Sequence, residues 1–218
     1  MTMTAFDRLE RCGIIPVVVL NDASDAVSTA KALLAGGVDV MEITFRTPAA
    51  AESVRRVSET CPEMLVGAGT IVNAEQCEEA VRCGADFIVS PGLSERVVET
   101  AQRLGAAVIP GCVTPTEIMR AEELGLHIVK FFPASVYGGL KAMKALSAPF
   151  GGIRFIPTGG VSKENLADFL SAPFVFAAGG SWLCASGDIE AGNYDKITSL
   201  CREAEETVRA CRTCGDRG

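Results

Sequence analysis

The sequence predicts a single α/β domain, a (β/α)8 or TIM barrel with an N-terminal helix, and three observations predict it. Short apolar, β-branched runs recur eight times along the chain. The segments between them carry helical patterning with helix-start and helix-stop residues. The runs are apolar throughout instead of alternating, as parallel strands covered on both faces must be. An open doubly wound sheet is the other arrangement such a pattern permits. It would use fewer strands and leave an edge strand of weaker hydrophobicity, whereas closing eight parallel strands removes both edges.

The expected strands are Ile14–Leu20, Val38–Ile43, Met64–Gly67, Asp86–Ser90, Ala106–Pro110, His127–Phe132, Ile153–Pro157 and Phe174–Ala178. Helix starts between them are marked by Thr47 before Pro48, by Asn73 with Gln76, and by Thr114-Pro115 with Glu117. The first places a capping hydroxyl ahead of a proline at the opening helical position, and the other two resemble capping boxes. Gly36, Gly84, Gly105 and Gly125 stand where a helix should stop before the next strand. Residues 1–12 read as a helix under the barrel and 190–213 as a final amphipathic one. No linker interrupts residues 1–218, so one domain is expected, with the barrel over about 13–185 and a C-terminal helix and tail over 190–218.

Composition narrows the function. Hydrophobic residues are 48% and charged residues 22% of the 218, a balance that supports a packed core. A net charge of -7 would repel nucleic-acid and membrane phosphates over most of the surface, so neither partner is expected and an anionic ligand would need a local cationic site. No apolar run is long enough to span a bilayer, and the opening MTMTAFDRLERCG does not read as a signal peptide. A cytoplasmic protein is the expectation. The nine cysteines, an odd number spread through apolar or helical contexts, are then expected as reduced thiols. Cys211 and Cys214 form a CxxC in the charged tail, but one such pair with no second pair and one distant histidine reads as ordinary tail sequence.

In a parallel barrel, chemistry gathers at the C-terminal ends of the strands. The most informative residue there is Lys130, inside the run His-Ile-Val-Lys-Phe-Phe-Pro. A lysine between Val129 and Phe131 either reaches out to solvent, pairs with a carboxylate at a strand edge, or points into a protected cavity. Removing an ammonium from water favours its neutral form, and a neutral lysine at the catalytic end of a barrel is a carbonyl nucleophile. Glu42 ends the second strand and Arg46 follows it. They can form a structural salt bridge, or divide proton transfer and carboxylate binding between them. Thr70 closes Gly-Ala-Gly-Thr, where small residues let backbone approach a ligand. Thr158-Gly159-Gly160 and Gly179-Gly180-Ser181 end the last two strands, the usual place for a phosphate in such barrels. His127, the only histidine, opens a strand and is expected to be structural. With so little imidazole a metal-dependent reaction is not expected.

The strand ends Glu-Ile-Thr-Phe-Arg-Thr (42–47), Gly-Ala-Gly-Thr (67–70), Ser-Pro-Gly (90–92), Pro-Gly (110–111), Val-Lys-Phe-Phe-Pro-Ala (129–134), Pro-Thr-Gly-Gly (157–160) and Gly-Gly-Ser-Trp (179–182) resemble, in order and spacing, the 2-keto-3-deoxy-6-phosphogluconate (KDPG) / 4-hydroxy-2-oxoglutarate (KHG) aldolase family. The resemblance implies a class I aldolase that needs no metal and no organic cofactor. It implies that Lys130 forms an imine with the substrate and that Glu42 is the general acid/base. Arg46 and Thr70 would hold the pyruvate carboxylate, with Pro91 and Phe132 shaping the pocket. Thr158, Gly159, Gly160, Gly180 and Ser181 would receive the phosphate. The partners implied are a phosphorylated keto acid and pyruvate, in a homotrimer. A 2-keto-3-deoxy-6-phosphogalactonate aldolase is the near alternative, and a non-aldolase phosphate-binding barrel enzyme the more distant one.

Overall fold

A computed structural model describes residues 3–215, with side chains through 212. Eight strands alternate with helices: β1 Ile14–Val18, β2 Val40–Thr44, β3 Leu65–Gly69, β4 Phe87–Val89, β5 Ala107–Ile109, β6 Ile128–Phe131, β7 Arg154–Pro157 and β8 Ala178–Gly180. All paired strands are parallel. They form a six-stranded sheet in the order β5-β4-β3-β2-β1-β8 and a two-stranded sheet β6-β7. Isolated parallel bridges join the two: Gly111 with Lys130 on one side, Phe155 with Val175 and Thr158 with Gly179 on the other.

The two faces of the curled sheet bury different cores. One face contributes Ile15, Val40, Leu65, Phe87, Ile109 and Ile156 to an inner core. Helix α1, Ala5–Cys12, plugs its lower end with Leu9 and Phe6, the latter edge-on to Phe176. The other face meets the outer helices through Ile14, Met41, Ile43, Val66, Ile88, Val129 and Phe155. Alternate residues of one strand thus serve opposite cores, which is the period-two geometry of a strand. The final helix, which spans Tyr194–Gly215, packs on the helix over Ala26–Ala35.

Beyond shifts of one or two residues at strand ends, the expected element boundaries need four corrections. The first helix begins at Ala5, capped by Thr4, and not at residue 1. The last strand lies at 178–180 instead of 174–178. Residues 174–176 approach β7 instead, with Phe155 N donating to Phe174 O at 2.8 Å and Phe176 N to Phe155 O at 2.8 Å. Thr47 does not cap a helix opening at Pro48: the helix is Ala50–Thr60, and the Thr47 hydroxyl donates to Leu20 O at 2.5 Å. The final helix begins at 194, not 190. The other two starts hold. Asn73 accepts from Gln76 N, and Thr114 with Glu117 forms a reciprocal capping box.

The cysteines with described side chains are all free, and most are buried. Burial pushes the thiols of Cys112 and Cys201 up to about 12, and that of Cys184 upward as well. The side chain of Cys214, the second half of the CxxC, lies outside the described residues. No helix among the described residues is long and apolar enough to cross a membrane. A thiol whose ionisation is raised stays protonated at pH 8, and the thiolate is the form that alkylates. In native protein at pH 8, Cys112, Cys184 and Cys201 should therefore resist iodoacetamide while half-buried Cys211 reacts first. Denaturation should release all of them, and peptide mass mapping of the labelled protein reads the result.

Candidate active site

Lys130 and Glu42 meet at the C-terminal ends of β6 and β2. The ammonium nitrogen lies 3.3 Å from Glu42 Oε1, and the two residues are only 5% and 3% exposed. Neither could be buried alone, since an isolated charge in an apolar interior costs several kcal/mol at least. Glu42 sits on the inward face of β2 with Val40. Its carboxylate reaches across to β3, where a Cβ on Gly69 would fall 2.0 Å from Oε1. Glycine at 69 is therefore what gives the carboxylate its place. Glu42 does not pair with Arg46, so the local salt bridge is not what this strand end builds.

Arg46 instead donates from Nε to Thr70 Oγ1 at 3.1 Å and has no carboxylate partner among the described residues. Thr70 holds a left-handed backbone, φ 59°, the one non-glycine residue to do so among those described. Such a conformation costs of order 1–3 kcal/mol and persists where surrounding contacts enforce it. Here Ile71 N donates to Val89 O at 3.1 Å and Phe45 N to Gly69 O at 2.7 Å, tying the turn to its neighbours on both sides. The guanidinium and hydroxyl so held suit a planar carboxylate.

Phe132 and Pro91 border the same space. The ring of Phe132 lies with its centroid 5.2 Å from the Lys130 nitrogen, a cation–π distance. Pro91 approaches through its backbone: its carbonyl would lie 2.1 Å from a Cβ on Gly111, the residue that bridges Lys130.

The glycine loops lie beside this pair on β7 and β8. Thr158 is buried and bridges Gly179, and its hydroxyl occupies the space a side chain on Gly179 would need. Gly159 and Gly160 are both left-handed, φ 83° and 87°. The backbone N–H groups of Gly160 and Ser181 donate to no backbone carbonyl among the described residues. The Gly160 carbonyl is held by Asn165 Nδ2 at 2.9 Å. After β7 the helix is the short Leu166–Leu170, and after β8 a 3-10 turn, Trp182–Cys184, precedes a short helix, Ser186–Glu190. Any anion here is met by loop amides instead of by a long helix terminus.

Sequence reasoning passed over three residues. Gly69 carries the spacing role just described. Ser135 sits against Gly160, so that a Cβ on the glycine would come 2.6 Å from its Oγ. Thr44 is fully buried on the same strand face as Glu42, and its hydroxyl makes no hydrogen bond. An unsatisfied buried hydroxyl costs about 1–3 kcal/mol. Glu203 Oε2 also lacks a hydrogen bond but has the Lys163 ammonium 2.5 Å away as an ion pair. Thr44 has no such compensation. The i, i+2 spacing from Glu42 was the available signal.

His127 lies at the opposite, N-terminal end of β6, exposed. A surface recess of about 770 Å³ near that end, lined by Glu10, Arg154, Ser171, Phe176 and Arg212, includes none of the residues above. Among the described residues no three His, Cys, Asp or Glu side chains are grouped to hold a metal ion.

The strand-end chemistry coincides with what comparison with known proteins finds. The family model for KDPG and KHG aldolase matches residues 6–200. The 2-dehydro-3-deoxy-phosphogluconate aldolase of Treponema pallidum is 44% identical over 206 residues, covering 94% of this chain and 98% of that protein. The KHG/KDPG aldolase of Escherichia coli K12 is 45% identical over 196 residues, covering 90% and 92%. Among solved structures, KDPG aldolase from Legionella pneumophila, with pyruvate captured as a covalent carbinolamine intermediate, superposes with a TM-score of 0.89 at 35% identity over 93% of this chain and 98% of that one. With its strand order, its buried lysine–glutamate pair and these matches along nearly its whole length, the chain belongs to the KDPG and KHG aldolase family.

Proposed function

We propose that this protein is a class I aldolase that cleaves 2-dehydro-3-deoxy-6-phosphogluconate to pyruvate and glyceraldehyde 3-phosphate, and 4-hydroxy-2-oxoglutarate to pyruvate and glyoxylate. The observation that carries the reading is the buried contact between the Lys130 amine and Glu42. A nucleophile and its proton acceptor then lie within one hydrogen bond of each other, behind strand ends that exclude water. Family membership and the covalent pyruvate adduct in a relative support it.

The reaction follows from these groups. Lys130 passes a proton to Glu42 and its nitrogen adds to the C2 ketone. Glu42 returns the proton as the carbinolamine loses water, leaving an iminium. The iminium draws electrons from the C3–C4 bond while the C4 hydroxyl gives its proton to Glu42, directly or through a water. That bond breaks, the aldehyde leaves, and an enamine remains. Protonation at C3 and hydrolysis of the imine release pyruvate and restore the amine. Arg46 and Thr70 fix the C1 carboxylate, Phe132 and Pro91 wall the keto-acid end, and Thr158, Gly159, Gly160, Gly180 and Ser181 receive the phosphate. The site residues call for no metal or cofactor. The wider assignment is a single domain whose eight strands close as a barrel, working as a cytoplasmic homotrimer.

Two experiments test this. Incubating the protein with pyruvate and reducing with borohydride should fix one pyruvate adduct on the peptide containing Lys130. Lys130→Ala should lose the adduct and nearly all turnover, and an adduct that persists in that variant refutes the assignment. For the phosphate loops, a hydrogen bond to a charged group contributes about 1.5–3 kcal/mol. Ser181→Ala should accordingly raise KM for the phosphorylated substrate roughly tenfold or more, with steady-state kinetics on 4-hydroxy-2-oxoglutarate unchanged. Equal effects on both substrates would remove the Ser181 hydroxyl from the phosphate site.

A further inference from the structure

The inward face of β2 carries two polar groups toward the strand end, Glu42 and then Thr44. Successive same-face residues on a strand are about 6.6 Å apart. Arg46 follows in the turn after the strand, exposed and bonded to Thr70, so along the chain Thr44 stands between the group that handles protons and the group suited to a carboxylate. Its register partner across the ladder is Gly69. Gly69 is also the residue whose missing side chain makes room for Glu42 Oε1. The Thr44 rung thus adjoins the Glu42 carboxylate, which in turn lies 3.3 Å from the Lys130 amine. Yet the Thr44 hydroxyl bonds to none of them. A valine of nearly the same shape would fill this position without a buried hydroxyl left unmatched.

We propose that Thr44 is a catalytic residue, its hydroxyl hydrogen-bonded to the oxygen on C2 of the keto acid; this rests on the Schiff-base reading of Lys130. When the amine adds to the ketone, the C2–O double bond opens and negative charge gathers on that oxygen. The Thr44 hydroxyl donates to it there, as the oxygen takes up the proton that becomes the carbinolamine hydroxyl. In the next step protonated Glu42 gives its proton to this hydroxyl. The C2–O bond breaks, water departs, and the nitrogen lone pair closes the C=N bond. Thr44 holds the departing oxygen in line with Glu42 while Arg46 and Thr70 hold the other end of the same three-carbon unit. A donor aimed at oxygen that gains charge in the transition state is worth about 100- to 1,000-fold in kcat when removed from an acyl-transfer site. The ketone oxygen here is protonated promptly, so a smaller loss is expected.

The test compares wild type with Thr44→Val, Thr44→Ser and Thr44→Ala. The rate of borohydride-trapped pyruvate adduct formation, kcat and KM for cleavage, and thermal unfolding are measured for each. Thr44→Val should form the adduct about 10- to 100-fold more slowly and lose kcat by a similar factor, with Tm unchanged or raised. Thr44→Ser should stay within a fewfold of wild type. A valine variant with wild-type adduct and cleavage rates overturns the proposal. Should valine not be tolerated, serine against alanine isolates the hydroxyl: a fast serine and slow alanine support the role, and equal rates overturn it. If wild type itself forms no adduct, the Schiff-base reading falls and this inference with it. A wild-type adduct with an unaffected valine variant removes Thr44 alone.

Discussion

The structure depends on keeping one lysine and one glutamate out of water together. At 5% and 3% exposure Lys130 and Glu42 have given up most of their hydration, and the 3.3 Å contact is what compensates for it. A buried pair of this kind is a poor way to gain stability, because well-packed apolar residues of similar volume often do as well or better. Removing one partner is worse still, about 3–5 kcal/mol in comparable cases, since it leaves a single charge inside. A fold gains little stability by retaining such a pair at the open end of its strands.

Much of the surrounding sequence answers to that pair. Strand β3 has no side chain facing Glu42: Gly69 leaves the space its carboxylate fills, while Gly67, its register partner, makes room for the Phe87 ring. Gly111 plays the equivalent part next to Lys130, pairing with it while letting the Pro91 carbonyl come close. Below this level the inner core fills with Ile15, Leu65, Phe87, Ile109 and Ile156, and α1 seals the end. One end of the strands packs, and the other leaves room. The large side chains at the bottom hold the small ones at the top in register.

The parts that could be read from sequence are those set by local chemistry. Eight apolar runs and the Asn73 and Thr114 caps announce strands and helix starts because each depends on neighbours within a few residues. Lys130 stands out because a charge in a strand built for burial needs a reason. What failed depended on partners far along the chain. Thr47 looks like a cap, but Leu20 takes its hydroxyl. Phe174–Ala177 has strand composition but curls toward Phe155 before β8 begins. Thr44 was overlooked because a threonine in a strand is unremarkable. Its meaning lies in a missing hydrogen bond, which only three-dimensional neighbours reveal.

Charge explains how a protein of net charge -7 can serve an anionic substrate. At physiological ionic strength exposed charges are screened beyond about 8 Å, so the acidic surface does little at the site itself. What matters is which cations near it are already spoken for. Glu42 offsets Lys130, so that lysine contributes little net attraction. Arg46 is different: a threonine hydroxyl is its only hydrogen-bonding partner among the described residues, and no carboxylate competes for its guanidinium. The loops at 159–160 and 181 add backbone amides, which attract an anion without adding a charge that would have to be balanced when the site is empty. The arrangement places one uncommitted positive charge where the keto-acid carboxylate is proposed to sit and uncharged donors at the far end. In the proposed mechanism, proton transfer between Lys130 and Glu42 leaves the charge on Arg46 unchanged.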